Sequence, residues 1–204
     1  MPVFIDLEAS ALENGYPIEV GWVAVDEGNR FSGKSFLIRT DPHWLKSCAW
    51  DYAAEAAHGI SQALLNEKGL PPADVARLID SAIEAGPAFT DNPGADGHWL
   101  RILFSATDIA MRLRLADVEL VYNVFRKQEA QTPGEQQKAI EGASLRYLRA
   151  EQLANQLAPR THRALDDALH LAAFFVLCQP EEPDIESLRR EIAKVQRNVG
   201  HDHE

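Results

Sequence analysis

Two acidic side chains interrupt an otherwise apolar strand pattern near the start of the chain, Asp6 and Glu8 in Phe4-Ile5-Asp6-Leu7-Glu8. Side chains alternate along an extended strand, so residues two apart project from the same face. Two carboxylates sharing a face of an apolar strand repel each other and lose hydration. A divalent cation compensates both effects and suits hard oxygen ligands. The alternative for the same pair is a strand whose acids fall on a solvated face or a frayed end.

A second set lies in Thr161-His162-Arg163-Ala164-Leu165-Asp166-Asp167-Ala168, after Pro159 and before the apolar run Leu169, Leu171, Ala172, Phe174 and Phe175. Pro159 and Thr161 signal a helix start nearby. His162 is then expected at or before the first turn and Asp167 about one turn inside, so the two can flank one site without sharing a helix face. The other reading makes His162 a cap or surface residue and Asp166 and Asp167 partners of the helix dipole. A third candidate, Asp96, follows Asn92 by four residues in a turn-rich stretch where both are also natural turn and cap residues.

The elements that must position these groups can be read from periodicity. Strand-like runs at residues 3–8, 18–25 and 31–39 are separated by turn signals at Asn14-Gly15 and Glu27-Gly28-Asn29, which predicts a meander. Helices are predicted from Trp44 onward, with new starts at Ser61 and after Pro71-Pro72. A fourth strand at 87–90, a helix around 96–104 and a fifth strand near 117–122 follow, then mostly helix with a loop near 128–137. This layout predicts an α/β fold with a mixed five-stranded sheet flanked by helices. Residues 184–198 place Leu188, Ile192 and Val195 on one helical stripe that is expected to pack on the core. The final His201-Asp202-His203-Glu204 reads as a tail rather than a metal site.

At 204 residues, with 46% hydrophobic and 25% charged content, the chain can bury a full core without staples. Its apolar runs are too short to span a bilayer, and no basic leader precedes the first strand, so neither a membrane span nor secretion is expected. Two cysteines, Cys48 and Cys178, are too few for a disulfide scaffold or a cysteine zinc site, which points to a cytoplasmic setting and to oxygen or imidazole as metal ligands. A net charge of -11 argues against a broad basic track for long nucleic acid. Four arginines at 146, 149, 160 and 163 form either a local phosphate-facing patch or a solvated helix face.

Asp-x-Glu on the first strand, an Asp opening a mid-chain helix, and His-x4-Asp before a late helix, in this order, resemble the DEDDh branch of the 3′-to-5′ exonuclease superfamily. That family includes the proofreading exonuclease of bacterial replicative polymerase, RNase T and oligoribonuclease. The resemblance runs over residues 3–177 and takes in Tyr16-Pro17-Ile18-Glu19-Val20-Gly21 on the second strand and His58-Gly59-Ile60-Ser61 at a helix start. The chain departs from the pattern in two places. Ala9-Ser10-Ala11 stands where Thr-Thr-Gly is frequent, and Asp91-Asn92 stands where His-Asn usually precedes the second-motif Asp.

The resemblance implies a ribonuclease-H-like fold, with an exonuclease domain over 1–180 and a C-terminal helix and short tail at 181–204 belonging to the same domain. It implies that Asp6, Glu8, Asp96 and Asp167 hold two Mg²⁺ or Mn²⁺ ions and that His162 is the general base, which makes these five the catalytic set. The expected substrate is a single-stranded nucleic acid 3′ end, DNA or RNA, met by Leu12, Ala9 and Asn92. Tyr16, Trp44, Trp50 and Trp99 are stacking candidates, although a tryptophan is more often a core residue than a platform. A homodimer is a family-level expectation. The competing readings are a catalytically silent binding module on the same fold, a structural α/β interaction protein, and a phosphodiesterase acting on small nucleotides.

Overall fold

The structure, a computed structural model, describes residues 1–83, 87–120 and 133–199, with backbone only over 133–144 and 198–199. Strands β1 (Val3–Ala9), β2 (Pro17–Val25) and β3 (Phe31–Leu37) form the antiparallel meander that the turn signals predict. Asn14 and Asn29 occupy its two turns with φ of 54° and 56°, the left-handed region that Asn tolerates better than most residues. β4 (Pro87–Thr90) and β5 (Arg114–Asp117) then add parallel to β1, giving the sheet order β3-β2-β1-β4-β5. The expected third strand stops at Leu37, and Ile38 makes a lone parallel bridge to Leu70 instead. The fifth strand lies earlier than the expected 117–122, because buried Leu113 and Val118 bracket the pairing with β4; residues 121 and 122 lie outside the described part.

The helices are α1 (Trp44–Ser47), α2 (Tyr52–His58), α3 (Gln62–Lys68), α4 (Pro72–Ala82), α5 (Pro93–Ser105), α6 (Pro133–Leu157), α7 (Ala164–Leu177) and α8 (Ile185–Val199). Two begin earlier than their sequence suggests. Pro93 and Pro133, read as turn and loop residues, each open a helix, a position where the missing N–H costs nothing and the fixed φ is already helical. Residues 128–132 of the expected loop lie outside the described part. Among the described residues, no helix is long and apolar enough to cross a membrane.

Alternation along the sheet divides the core in two. Val3, Ile5 and Leu7 of β1 face one cluster, with Ile18, Val20 and Trp22 of β2, Val75 and Ile79 of α4, and Leu100 and Leu103 of α5. Phe4 of β1 and Val23 and Val25 of β2 face the other, with α7, Ala150 and Ala154 of α6, and Leu188, Ile192 and Val195 of α8. The stripe on the last helix therefore packs on the core, as its spacing predicts. Every residue of β2 is buried, and in α7 only Asp166 is not, because both elements are covered on all sides. Each fully buried Leu, Ile or Phe contributes about 1.5–3 kcal/mol, so the strand that carries Asp6 and Glu8 is held between two thick apolar layers.

Candidate active site

The face of β1 that begins with Phe4 against α7 continues through Asp6 and Glu8 past the start of that helix. Their cross-strand partners on β2 are Gly21 and Glu19. On its other side β1 pairs with β4 only at Val3 and Phe4. Beyond that point the edge of β1 is taken over by α5, whose first turn brings in Asp96, and the Asp96 carboxylate accepts from the Leu7 backbone N–H. Asn92 caps α5 by accepting from the Ala95 N–H at 3.2 Å. The Thr90 hydroxyl, fully buried, donates to Asp96 and fixes its rotamer.

The segment between α6 and α7 supplies the opposite wall. Thr161 N–H donates to Asp167 Oδ1 at 3.0 Å and its hydroxyl to Asp166 Oδ2 at 2.7 Å, so the first turn of α7 is tied back to the residues before it. His162 lies just ahead of the helix, with φ of 57°, a conformation that is uncommon for a non-glycine residue. Arg163 follows as the N-cap position without capping through its own side chain. Its guanidinium instead meets the buried Glu19 in a bidentate pair, at 3.0 and 2.7 Å.

Donor atoms of Glu8, His162 and Asp167 all lie within 4.8 Å of one another, and so do those of Asp6, Asp91 and Asp96. The five side chains expected to do chemistry thus come together from β1, α5, the α6–α7 segment and α7. Their environment disfavours bare negative charge. Burial, then the neighbouring acids Asp96, Glu8 and Asp167, push the Asp6 carboxyl well above its ordinary range. Burial and the charge of Asp167 raise Glu8 to about 8, against a weaker opposing pull from Arg163. Burial raises Asp96 to about 7 even though the Thr90 hydroxyl pulls it down. Asp167 is raised by burial and lowered by the Thr161 amide, Arg160 and His162. Desolvated oxygen donors that repel one another are the donor set that Mg²⁺ and Mn²⁺ favour, so the residues fit such ions.

Asp91 belongs to the cluster although its sequence position marks it only as a departure from the family pattern. Its carboxylate also meets Arg160 at 2.8 Å, joining the β4–α5 junction to the segment that carries His162. Glu19 was legible only as part of a strand motif; the one available signal was an acid between Ile18 and Val20 in an otherwise apolar run. Thr90 gave no signal at all. The four arginines do not make one patch. Arg160 and Arg163 pair with acids at the site, whereas Arg146 and Arg149 line a groove with Pro180 and Glu182.

Among the expected substrate contacts, Leu12 is 88% exposed just beyond β1, Ala9 is half-buried at the strand end, and Asn92 is occupied as a helix cap. Ser10 is buried, donating to the Ala49 carbonyl at 2.8 Å and accepting from the Tyr16 N–H at 3.0 Å, which fixes the loop under Leu12. Tyr16, Trp44 and Trp99 are core residues, with Tyr16 stacked on Trp44 at 5.4 Å, and are not exposed platforms; Trp50 is half-buried, its indole N–H donating to Glu55 at 2.7 Å.

This is a ribonuclease-H-like α/β fold whose strand ends gather a carboxylate cluster beside a histidine. E. coli exonuclease I, in its zinc-bound complex with single-stranded DNA, superposes over 91% of this chain with a TM-score of 0.59 at 15% identity. A further structure of exonuclease I superposes over 92% with a TM-score of 0.57 at 14% identity. Pop2p of S. pombe, in its Mg²⁺- and Mn²⁺-bound form, superposes over 85% of this chain and 80% of its own, with a TM-score of 0.51 at 17% identity. The chain spans about two fifths of the exonuclease I chains, 41% and 42%. At these identities the likeness is one of fold. No protein-family model and no curated protein matches the sequence.

Proposed function

We propose that the chain is a divalent-cation-dependent 3′-to-5′ exonuclease that releases nucleoside 5′-monophosphates from single-stranded DNA or RNA ends. The observation that carries this reading is the convergence of Asp6, Glu8, Asp96, Asp167 and His162, from separate elements, into a cluster whose carboxylates are raised by burial and mutual repulsion. Asp6, Glu8, Asp96 and Asp167 would hold two Mg²⁺ or Mn²⁺ ions. Bound there, the ions would acidify water and withdraw charge from the phosphodiester undergoing displacement.

The protein's own groups do the rest. The imidazole of His162, exposed at the rim beside Glu8 and Asp167, takes the proton of the attacking water and leaves the carboxylates to their ligand role. The Asp167 carboxylate, tied to the Thr161 amide, keeps the histidine segment in register with α7. Thr90 and the Leu7 amide hold Asp96 in one orientation. Leu12, 88% exposed, would offer an apolar surface to the terminal base, and Ala9 and Asn92 would meet the terminal nucleotide. Fold likeness to exonuclease I in complex with single-stranded DNA and to metal-bound Pop2p supports the same reading.

The test is a denaturing-gel time course on 5′-labelled single-stranded DNA and RNA with Mg²⁺, Mn²⁺ or EDTA. A metal-dependent ladder that shortens from the 3′ end is expected, and the faster substrate names the preferred sugar. Intact substrate under every condition would overturn the reading.

A further inference from the structure

Glu19, on β2, stands directly opposite Glu8 of β1, on the same face of the sheet, yet it has a different set of partners. It is 1% exposed, and both of its oxygens are used: Oε1 accepts from Arg163 Nη2 at 2.7 Å, and Oε2 accepts from Arg163 Nε at 3.0 Å and from the Ala164 backbone N–H at 3.0 Å. A buried carboxylate beside a second carboxylate is costly unless it is fully paired. Here the pairing comes from the two residues that immediately follow His162. The first N–H of α7, which a helix normally caps with a neighbouring side chain, is satisfied instead by a strand residue 145 positions earlier.

On the other side of His162 the chain is held just as firmly. Thr161 is bonded to Asp166 and Asp167, and Arg160 to Asp91. His162 itself has a left-handed φ of 57°, which a non-glycine residue keeps only where its surroundings over-determine it. Of these ties the one from Glu19 has the most deeply buried acid, 1% exposed against 6% for Asp167, and its side chain is 2% exposed against 37% for Asp91. It is therefore the tie least open to competition from water and salt.

We infer that Glu19, acting through Arg163 and the Ala164 amide, is the positioning residue that sets the backbone of His162 and so aims its imidazole at the cluster. The inference rests on the hydrolytic reading for its kinetic half and on geometry alone for its structural half. In this role Glu19 would contact neither substrate nor metal. It occupies the position beside Glu8 where a second free carboxylate would join the ligand set, and the guanidinium of Arg163 withdraws it from that set.

The experiment compares Glu19→Gln with the parent in two backgrounds, native and His162→Ala. In the native background kcat is expected to fall by about 10²-fold, the scale of a misplaced catalytic group, with KM and the Mg²⁺-induced rise in melting temperature unchanged. In the His162→Ala background the same substitution is expected to change nothing further. Equal losses in both backgrounds, or a lost Mg²⁺ response, would overturn the inference. Amide hydrogen exchange supplies a readout that needs no activity: amides 161–164 are expected to exchange faster in Glu19→Gln while those of β2 and β3 keep their protection. Unchanged exchange over 161–164 would overturn the inference even in a chain with full activity. If the parent trims no nucleic acid, the hydrolytic reading falls on its own, and the exchange result still decides whether Glu19 holds this segment.

Discussion

Gly21 is the cross-strand partner of Asp6, and the space where its side chain would stand is filled by the backbone of α7. A Cβ at Gly21 would lie 2.3 Å from the Leu165 amide nitrogen and 2.4 Å from the Ala164 carbonyl carbon. The sheet and the helix carrying Asp167 thus meet in backbone contact two residue pairs away from Glu8 and Glu19, and this closeness lets carboxylates from β1 and α7 share a site.

Gly21→Ala is therefore expected to force α7 off the sheet, since backbone atoms cannot swing aside as a side-chain end can. The cost is expected to reach at least the 1–3 kcal/mol typical of overpacking, about 2–12 °C in melting temperature at this length. Thermal denaturation with and without Mg²⁺ checks it: both the melting point and the Mg²⁺ response should fall. A variant that kept its full metal response would show that α7 does not need this contact to place Asp167.

Stability of the metal-free chain should decline as pH rises. Glu8, raised from 4.5 to about 8, and Asp96, raised from 3.8 to about 7, bind protons in the folded state that the unfolded chain has already released. Unfolding then releases protons, so stability is greatest near the unfolded pKa values, falls through the window up to about 8 and is flat above it. Melting curves in EDTA across this range should show the decline, and saturating Mg²⁺ should remove it. A metal-free stability that rises with pH through the window would mean that the carboxylates are better stabilised as anions than their burial implies.

Asp6→Asn keeps the shape of the side chain and removes one of the repelling charges. In EDTA above about pH 8 the variant should melt at or above the parent, because a desolvated anion has become a neutral amide. It should also lose both trimming and the Mg²⁺-dependent stabilisation, which at a hundredfold excess over Kd is about 2.7 kcal/mol. Asp6→Ala should likewise abolish trimming with little loss of fold. Retained trimming in either purified variant would remove Asp6 from the proposed ligand set.

His162→Ala should leave the metal response intact and lower kcat by about 10²–10⁴-fold, the range for loss of a general base. Added imidazole is expected to restore part of the rate. A variant with parental kcat would exclude the histidine from proton transfer.

Thr90→Val removes the buried hydroxyl that donates to Asp96 and accepts from the Asn92 N–H at 3.1 Å. The unpaired groups left behind should cost about 1–3 kcal/mol. Since the hydroxyl lowers the Asp96 pKa, its loss should also raise the Mg²⁺ concentration needed at neutral pH. Unchanged Mg²⁺ dependence would mean that the Leu7 amide alone orients Asp96.

Much of this arrangement was legible in residue order because it depends on local periodicity. The i, i+2 spacing of Asp6 and Glu8 fixed a shared face, and the apolar residues around them fixed the strand. The stripe of Leu188, Ile192 and Val195 gave the packed face of the last helix. What escaped depends on contacts between distant segments. Glu19 and Arg163 are 144 residues apart, and no local pattern announces their pairing. Asp91 looked like a turn residue until the end of the β1–β4 pairing placed it beside Asp6. Pro93 and Pro133 misled because proline marks both a turn and the first position of a helix.

The central claim, that these buried carboxylates are a divalent-cation centre, is tested most directly by diffraction from crystals soaked in Mn²⁺, with anomalous differences calculated for the parent and for Asp6→Asn. The account predicts anomalous peaks bounded by oxygens of Asp6, Glu8, Asp96 and Asp167 in the parent and their loss in the variant. A cluster without peaks at saturating Mn²⁺, or peaks that persist without the Asp6 carboxylate, would contradict it.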